Sequence, residues 1–194
     1  MKDAFLTLDR DVFLALNFDG GGFWDSFFWY VSAIWFWIPF YGFLMWVLYR
    51  KLGLKGMIIA VACTALGVII ADQIANVFKY GLQKWRPTHN PDMQGLVHTV
   101  RGYVGGPYGT VSAHAASAMV IATFATLLFR KWWVGVALYL WALLVCYSRI
   151  YLGVHFPADL LFGTIDGIFF GWLTYRVLLW FKKRGYKFRR NADK

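Results

Sequence analysis

Apolar positions along this chain fall into long, nearly unbroken runs, and the polar residues gather in the short stretches between them. Five runs, 27–49, 57–78, 111–129, 132–151 and 158–181, approach the roughly 20 residues that a helix needs to cross a bilayer. The first contains Pro39, which a membrane helix accommodates with a kink. Ahead of them, residues 4–16 place Phe5, Leu8, Val12 and Leu16 near one helical face, with Asp9 and Asp11 away from it. That spacing predicts an amphipathic helix lying in the membrane interface, ended by Asp19-Gly20-Gly21-Gly22. The expected fold is all-α: a polytopic transmembrane bundle of about five spanning helices plus the N-terminal interfacial helix. It forms one domain over residues 1–194, with 183–194 as a basic cytoplasmic tail. No linker, internal repeat or low-complexity tract interrupts it.

Composition agrees with a membrane protein: 59% of residues are hydrophobic, 21% aromatic and only 15% charged. All ten acidic residues are Asp, so the usual Glu-rich solvated helix faces are missing. A formal charge of +10 raises the question of nucleic acid, but its distribution answers it. The excess sits in the tail and in short turns between apolar runs, which is where topology signals lie. No nucleic-acid partner is expected; membrane lipids are. Thirteen of the twenty Lys and Arg residues fall on one side: Arg50, Lys51, Lys55, Arg130, Lys131, Arg176 and the tail. That side should be cytoplasmic, and the loop 79–110 and the junction near 155 should face outward. Cys63 and Cys146 both lie inside apolar runs, so neither a disulfide framework nor a zinc site is expected. The start lacks a basic segment followed by an uninterrupted apolar stretch, so no cleavable signal peptide is expected.

Three polar clusters reach the same outward face: Lys79 to Pro87, Ser112 with His114, and Ser148-Arg149 through His155 to Asp159. A buried charge is costly unless it is paired, so cationic residues at such a junction call for an anion. Lys79, Arg86 and Arg149 supply three permanent cations, and the guanidinium fork matches phosphate oxygens bidentately. Ser112 can cap the third spanning helix, whose first N–H groups point at any bound anion. Asp159 lies one turn beyond His155 if helical geometry begins there, so its carboxylate can take the imidazole Nδ1–H and leave Nε2 free to attack. His114 suits a general acid for the departing oxygen. No set of close Asp or His ligands for two metals can be assembled.

The spacing Lys79-x₆-Arg86-Pro87, then Ser112-x-His114, then Ser148-Arg149-x₅-His155-x₃-Asp159 resembles the tripartite signature of the type-2 phosphatidic acid phosphatase superfamily. The resemblance implies a bacterial inner-membrane, multi-pass, metal-independent phosphohydrolase that needs no cofactor and forms a phosphohistidine. By position it makes His155 the nucleophile, Asp159 its partner and His114 the acid. Lys79, Arg86, Ser112, Ala113, His114 and Arg149 hold the substrate phosphate. The middle block departs from the family's usual Pro-Ser-Gly-His, because Val111 and Ala113 stand in its first and third places. The added methyl narrows the backbone's approach to phosphate.

The expected substrate is a lipid phosphate, with undecaprenyl diphosphate ranked first. Lipid A ranks close behind, ahead of phosphatidylglycerol phosphate and phosphatidate. Two other classes compete. A channel or transporter for phosphorylated molecules would need polar faces running through the bilayer, where only Asp72 and Asp166 occur. An intramembrane serine hydrolase using Ser112 would have no use for three cations. His89 and His98 read as solvated loop residues. Asp72 shares a helix face with Asn76 and Lys79, and Asp166 lies two turns from Asp159; both read as polar contacts that support the site or join helices, ahead of direct catalysis. Oligomeric state is not legible.

Overall fold

The computed structural model describes residues 2–184, with side chains from residue 4 onward. The described residues form an all-helical fold with six α-helices: α1 (Lys2–Leu16), α2 (Gly22–Ser32), α3 (Ile38–Leu82), α4 (Ala113–Phe129), α5 (Trp132–Tyr151) and α6 (Pro157–Lys183). Among them, two segments are long and apolar enough to cross a membrane: Ile34–Leu82 and Trp132–Tyr151. The basic tail expected at 183–194 lies outside the described residues beyond Arg184.

The first apolar run differs from its reading. Instead of one helix over 27–49, α2 stops at Ser32, Ala33 is extended, and a 3₁₀ turn at Ile34–Trp37 leads into α3. Pro39 stands in the first turn of α3, where its missing N–H has no intrahelical partner to lose. It starts a helix rather than kinking one. The expected turn around residues 50–56 is also tighter than predicted. Two helical stretches of α3 meet at Gly53, whose φ of 72° and ψ of 176° break the helix there; that φ suits glycine and strains any residue with a Cβ. Lys51 donates to the terminal carbonyls Leu128 O (3.0 Å) and Phe129 O (3.5 Å) of α4. A cation there complements the negative end of the helix dipole. Arg130, Lys131 and Lys182 are its charged neighbours, so four of the basic residues read as one-sided meet at one end of the bundle.

The centre of the bundle is a backbone-close seam between α4 and α6. Gly163, Gly167 and Gly171 recur every four residues and therefore share one face. A Cβ at Gly163 would sit 2.6 Å from Ser112 O, one at Gly171 would sit 2.8 Å from Val120 O, and one at Gly167 would overlap Ala116 O. Small residues let membrane helices approach in this way. The approach carries the α6 N-terminus onto the α4 N-terminus, where Ser112 N donates to Asp159 O at 3.0 Å.

The apolar face that the spacing of α1 marked points away from the rest of the protein, and the opposite edge packs inward. Phe5, Leu8 and Val12 stay exposed, while Asp9, Phe13 and Asn17 are buried. The helix lies between protein and surroundings, so its polar edge turns inward to serve hydrogen bonds. Asp9 Oδ1 accepts from Ala158 N at 2.8 Å in the first turn of α6. Asn17 Nδ2 donates to Ile150 O and Tyr151 O, both at 2.9 Å, at the end of α5. Thus α1 braces the loop between α5 and α6.

Candidate active site

Four segments converge at the end of the bundle opposite Lys51. One is the stretch after α3, where Trp85 pairs with Tyr108 across an isolated bridge and Arg86 N donates to Pro107 O. The others are the loop to α4, the α4 N-terminus and the α5–α6 junction. Gly109 is required here: a Cβ on it would lie 2.8 Å from Arg86 Cγ and 3.3 Å from His155 Nδ1.

His155 is fully enclosed, just outside α6, which begins at Pro157. Its Nδ1 lies 3.3 Å from Asp159 Oδ2, and the same carboxylate oxygen accepts Phe156 N at 3.1 Å. Asp159 thus caps α6 and orients the imidazole at once. His114 sits in the first turn of α4, with Arg149, His155 and Arg86 as its ionisable neighbours. Ser112 is the N-cap of that helix and accepts from Ala115 N, as its position suggested. Ala113 opens the helix beside the same cavity as His114. Ser148, by contrast, turns back on its own helix and donates to Val145 O.

Arg149 is 4% exposed, and no carboxylate among the described residues lies within ion-pair distance of it. It donates to Ser32 Oγ and, at 3.4 Å, to Tyr103 Oη, while its buried Nε has no partner. An unneutralised buried guanidinium with a spare donor is a strong demand for an anion. Arg86 is nearly as buried, and its Nε donates to Tyr108 O at 2.9 Å. Burial, and then the like charge of Arg149, lower its guanidinium from the ordinary value. Lys79 lies in the last turn of α3, its ammonium 5.2 Å from the Tyr80 ring. Burial alone would raise the Tyr103 hydroxyl; Arg149, Arg86 and Lys79 together bring it below the ordinary tyrosine value. The three predicted cations therefore share one phenol as neighbour.

Tyr103 is one residue that sequence reasoning missed, and Lys84 is another. Lys84 Nζ lies 3.0 Å from Asp159 Oδ1 and 3.1 Å from Asp9 Oδ2, two carboxylates that are almost fully enclosed. Its place between Lys79 and Arg86 was the available signal. Replacing it with Met is expected to leave both acids buried without a cation, lowering stability by roughly 3–5 kcal/mol. Thermal unfolding in detergent measures this, and Lys84→Arg, which keeps a cation between the two acids, should recover most of the loss. His98 is also not the solvated loop residue expected: its Nε2 lies 3.0 Å from Asp25 Oδ1, which also accepts the Tyr151 hydroxyl. His89 pairs only with its neighbour Thr88. Asp72 bonds along its own helix to Asn76, and Asp166 Oδ2 has no partner among the described residues, so neither joins two helices.

Burial, outweighing the hydrogen bond to Asp159, lowers the His155 imidazole to about 4. In the unfolded chain it titrates near the ordinary 6.5. Between those values the unfolded state binds more protons at this residue, so stability is expected to fall as pH drops from about 6.5 towards 4. Thermal unfolding of wild type and His155→Gln across that window checks it; the variant should show a shallower slope.

Two histidines, two buried arginines and a buried carboxylate thus meet at one end of a helical bundle. The chain belongs to the PAP2 superfamily, whose model matches residues 56–183, and it is a phosphoric ester hydrolase of membranes. Among its relatives is the lipid A 4′-phosphatase of Bacteroides thetaiotaomicron, 38% identical over 174 residues, covering 87% of this chain and 77% of that one. The lipid A 4′-phosphatase of Porphyromonas gingivalis is 36% identical over 181 residues, covering 92% and 76%. An undecaprenyl-diphosphatase of Sulfolobus acidocaldarius is 29% identical over 147 residues, covering 73% and 63%. The same fold occurs in the crystal structure of Aquifex aeolicus LpxE, with a TM-score of 0.64 at 23% identity, covering 87% of this chain and 95% of that one.

Proposed function

We propose that this protein removes the phosphate from a lipid A-type phosphate at the outer face of the bacterial inner membrane. His155 Nε2 attacks phosphorus as the bond to the lipid oxygen breaks, and His114 gives that oxygen its proton. Water, deprotonated by His114, then attacks the phosphohistidine and releases phosphate with His155 restored. Asp159 holds the imidazole through Nδ1, while Lys79, Arg86, Ser112, the Ala113 amide and Arg149 hold the phosphoryl oxygens. Phosphoryl transfer depends mainly on alignment and charge neutralisation, which this set supplies.

The observation that carries the reading is the buried Arg149, with an unused Nε, beside a histidine already oriented by a carboxylate. The sequence alone ranked undecaprenyl diphosphate first. The two lipid A 4′-phosphatases support the other order, because they match more of this chain at higher identity than the undecaprenyl-diphosphatase does. Five membrane crossings, with Lys51 and the tail in the cytoplasm, complete the proposal. Its test is phosphate release by purified protein from a panel of lipid A, undecaprenyl diphosphate, phosphatidylglycerol phosphate and phosphatidate in EDTA. Release fastest from lipid A is expected. No release in chelator would overturn the metal-free mechanism.

A further inference from the structure

A cavity of about 180 Å³ opens beside His114, bounded also by Ser32, Asp72, Ser117 and Trp141. Its chemistry is unlike that of the phosphate pocket, because no lysine or arginine lines it. Instead it offers an acceptor and a donor that the protein leaves unused. Asp72 receives Asn76 Nδ2 at 3.0 Å and Gln73 Nε2 at 3.5 Å, both on Oδ2, and Oδ1 has no protein partner. The indole N–H of Trp141, a residue 8% exposed, is buried without an acceptor. The indole donor, unpaired in a low-dielectric interior, is a standing cost that a ligand acceptor removes, and the half-exposed Asp72 Oδ1 offers an acceptor in the same cavity. Ser32 ties the cavity to the phosphate pocket, since its hydroxyl accepts from Arg149.

We infer that this cavity receives the leaving alcohol and that Asp72 and Trp141 select for its chemistry. The inference rests on the proposed role of His114. In an in-line displacement the nucleophile and the leaving oxygen flank phosphorus on opposite sides, so the space beside the acid belongs to the departing group. A neutral group carrying both N–H or O–H and carbonyl or ether oxygens, such as an acylated amino sugar, satisfies Asp72 Oδ1 and the indole together. A second phosphate, which is the leaving group of a diphosphate, meets a carboxylate and no cation. A glycerolipid alcohol offers few donors. The site therefore favours glycolipid monophosphates over polyprenyl diphosphates.

The test compares kcat/KM on lipid A, undecaprenyl diphosphate and phosphatidate for wild type, Asp72→Asn and Trp141→Phe. Asp72→Asn is expected to lose roughly 10- to 100-fold on lipid A, the range for one hydrogen bond to a charged group. On undecaprenyl diphosphate it should be unchanged or faster. Trp141→Phe removes only the N–H and should lose activity on lipid A selectively, which keeps the idea testable if Asp72→Asn fails to fold. Equal losses on all three lipids, or no loss on lipid A, would overturn the assignment. A wild type that releases phosphate from none of them would instead sink the parent reading.

Discussion

His155→Ala is expected to release no lipid phosphate above the uncatalysed background, a fall of at least about 10⁴-fold. The imidazole is fully enclosed and oriented by Asp159, and the remaining histidine, His114, stands on another helix. The measurement is inorganic phosphate release, joined to a trapping experiment in which wild type is denatured during turnover with ³²P-labelled lipid. Label on the wild-type protein that is stable to base and labile to acid is expected, and the variant should carry none. Cys146→Ala, which changes a buried free thiol in α5, should retain both activity and label. Residual turnover by His155→Ala at more than a few per cent of wild type would remove the covalent mechanism.

The second large effect concerns charge geometry rather than charge. Arg149→Lys keeps a cation yet is expected to lower kcat/KM by roughly 100-fold or more. The guanidinium donates to Ser32 and Tyr103 through two nitrogens and still has Nε to offer. An ammonium is a point donor on a flexible stem and cannot span those partners while meeting a phosphate edge. The contrast with Lys79 is useful. Lys79 lies at the end of α3 with its ammonium over a ring, so Lys79→Arg should be far milder. Steady-state kinetics on one lipid substrate measures both, and a mild Arg149→Lys would mean that the pocket needs only net charge.

The groups proposed to react were legible as candidates because they interrupt apolar sequence. Arg149, His155 and Asp159 stand out against apolar neighbours, and their spacing along eleven residues survives folding almost unchanged. The long helices α4, α5 and α6 were legible for the same reason, since unbroken apolar runs leave little choice of structure. Pairings between distant segments were not. Lys84 and Asp9 meet across 75 positions, and a lysine after an apolar helix looks like an interfacial anchor until its partners are seen. The break at Ala33 was equally hidden, because Ala33 to Trp37 is apolar throughout and only Pro39, six residues on, marks a helix start. The glycines of α6 carried their spacing openly, but their meaning depended on which helix would face them.

That glycine face also decides where the protein can give way. With backbone this close to backbone, α4 and α6 have little room to slide past one another, so His114 and Asp159 are expected to keep their spacing. Room for a bulky amphiphile must come from the other flank. There the chain is already irregular at Ala33 to Trp37 and bends at Gly53, so lateral entry falls to the α3 side of the bundle.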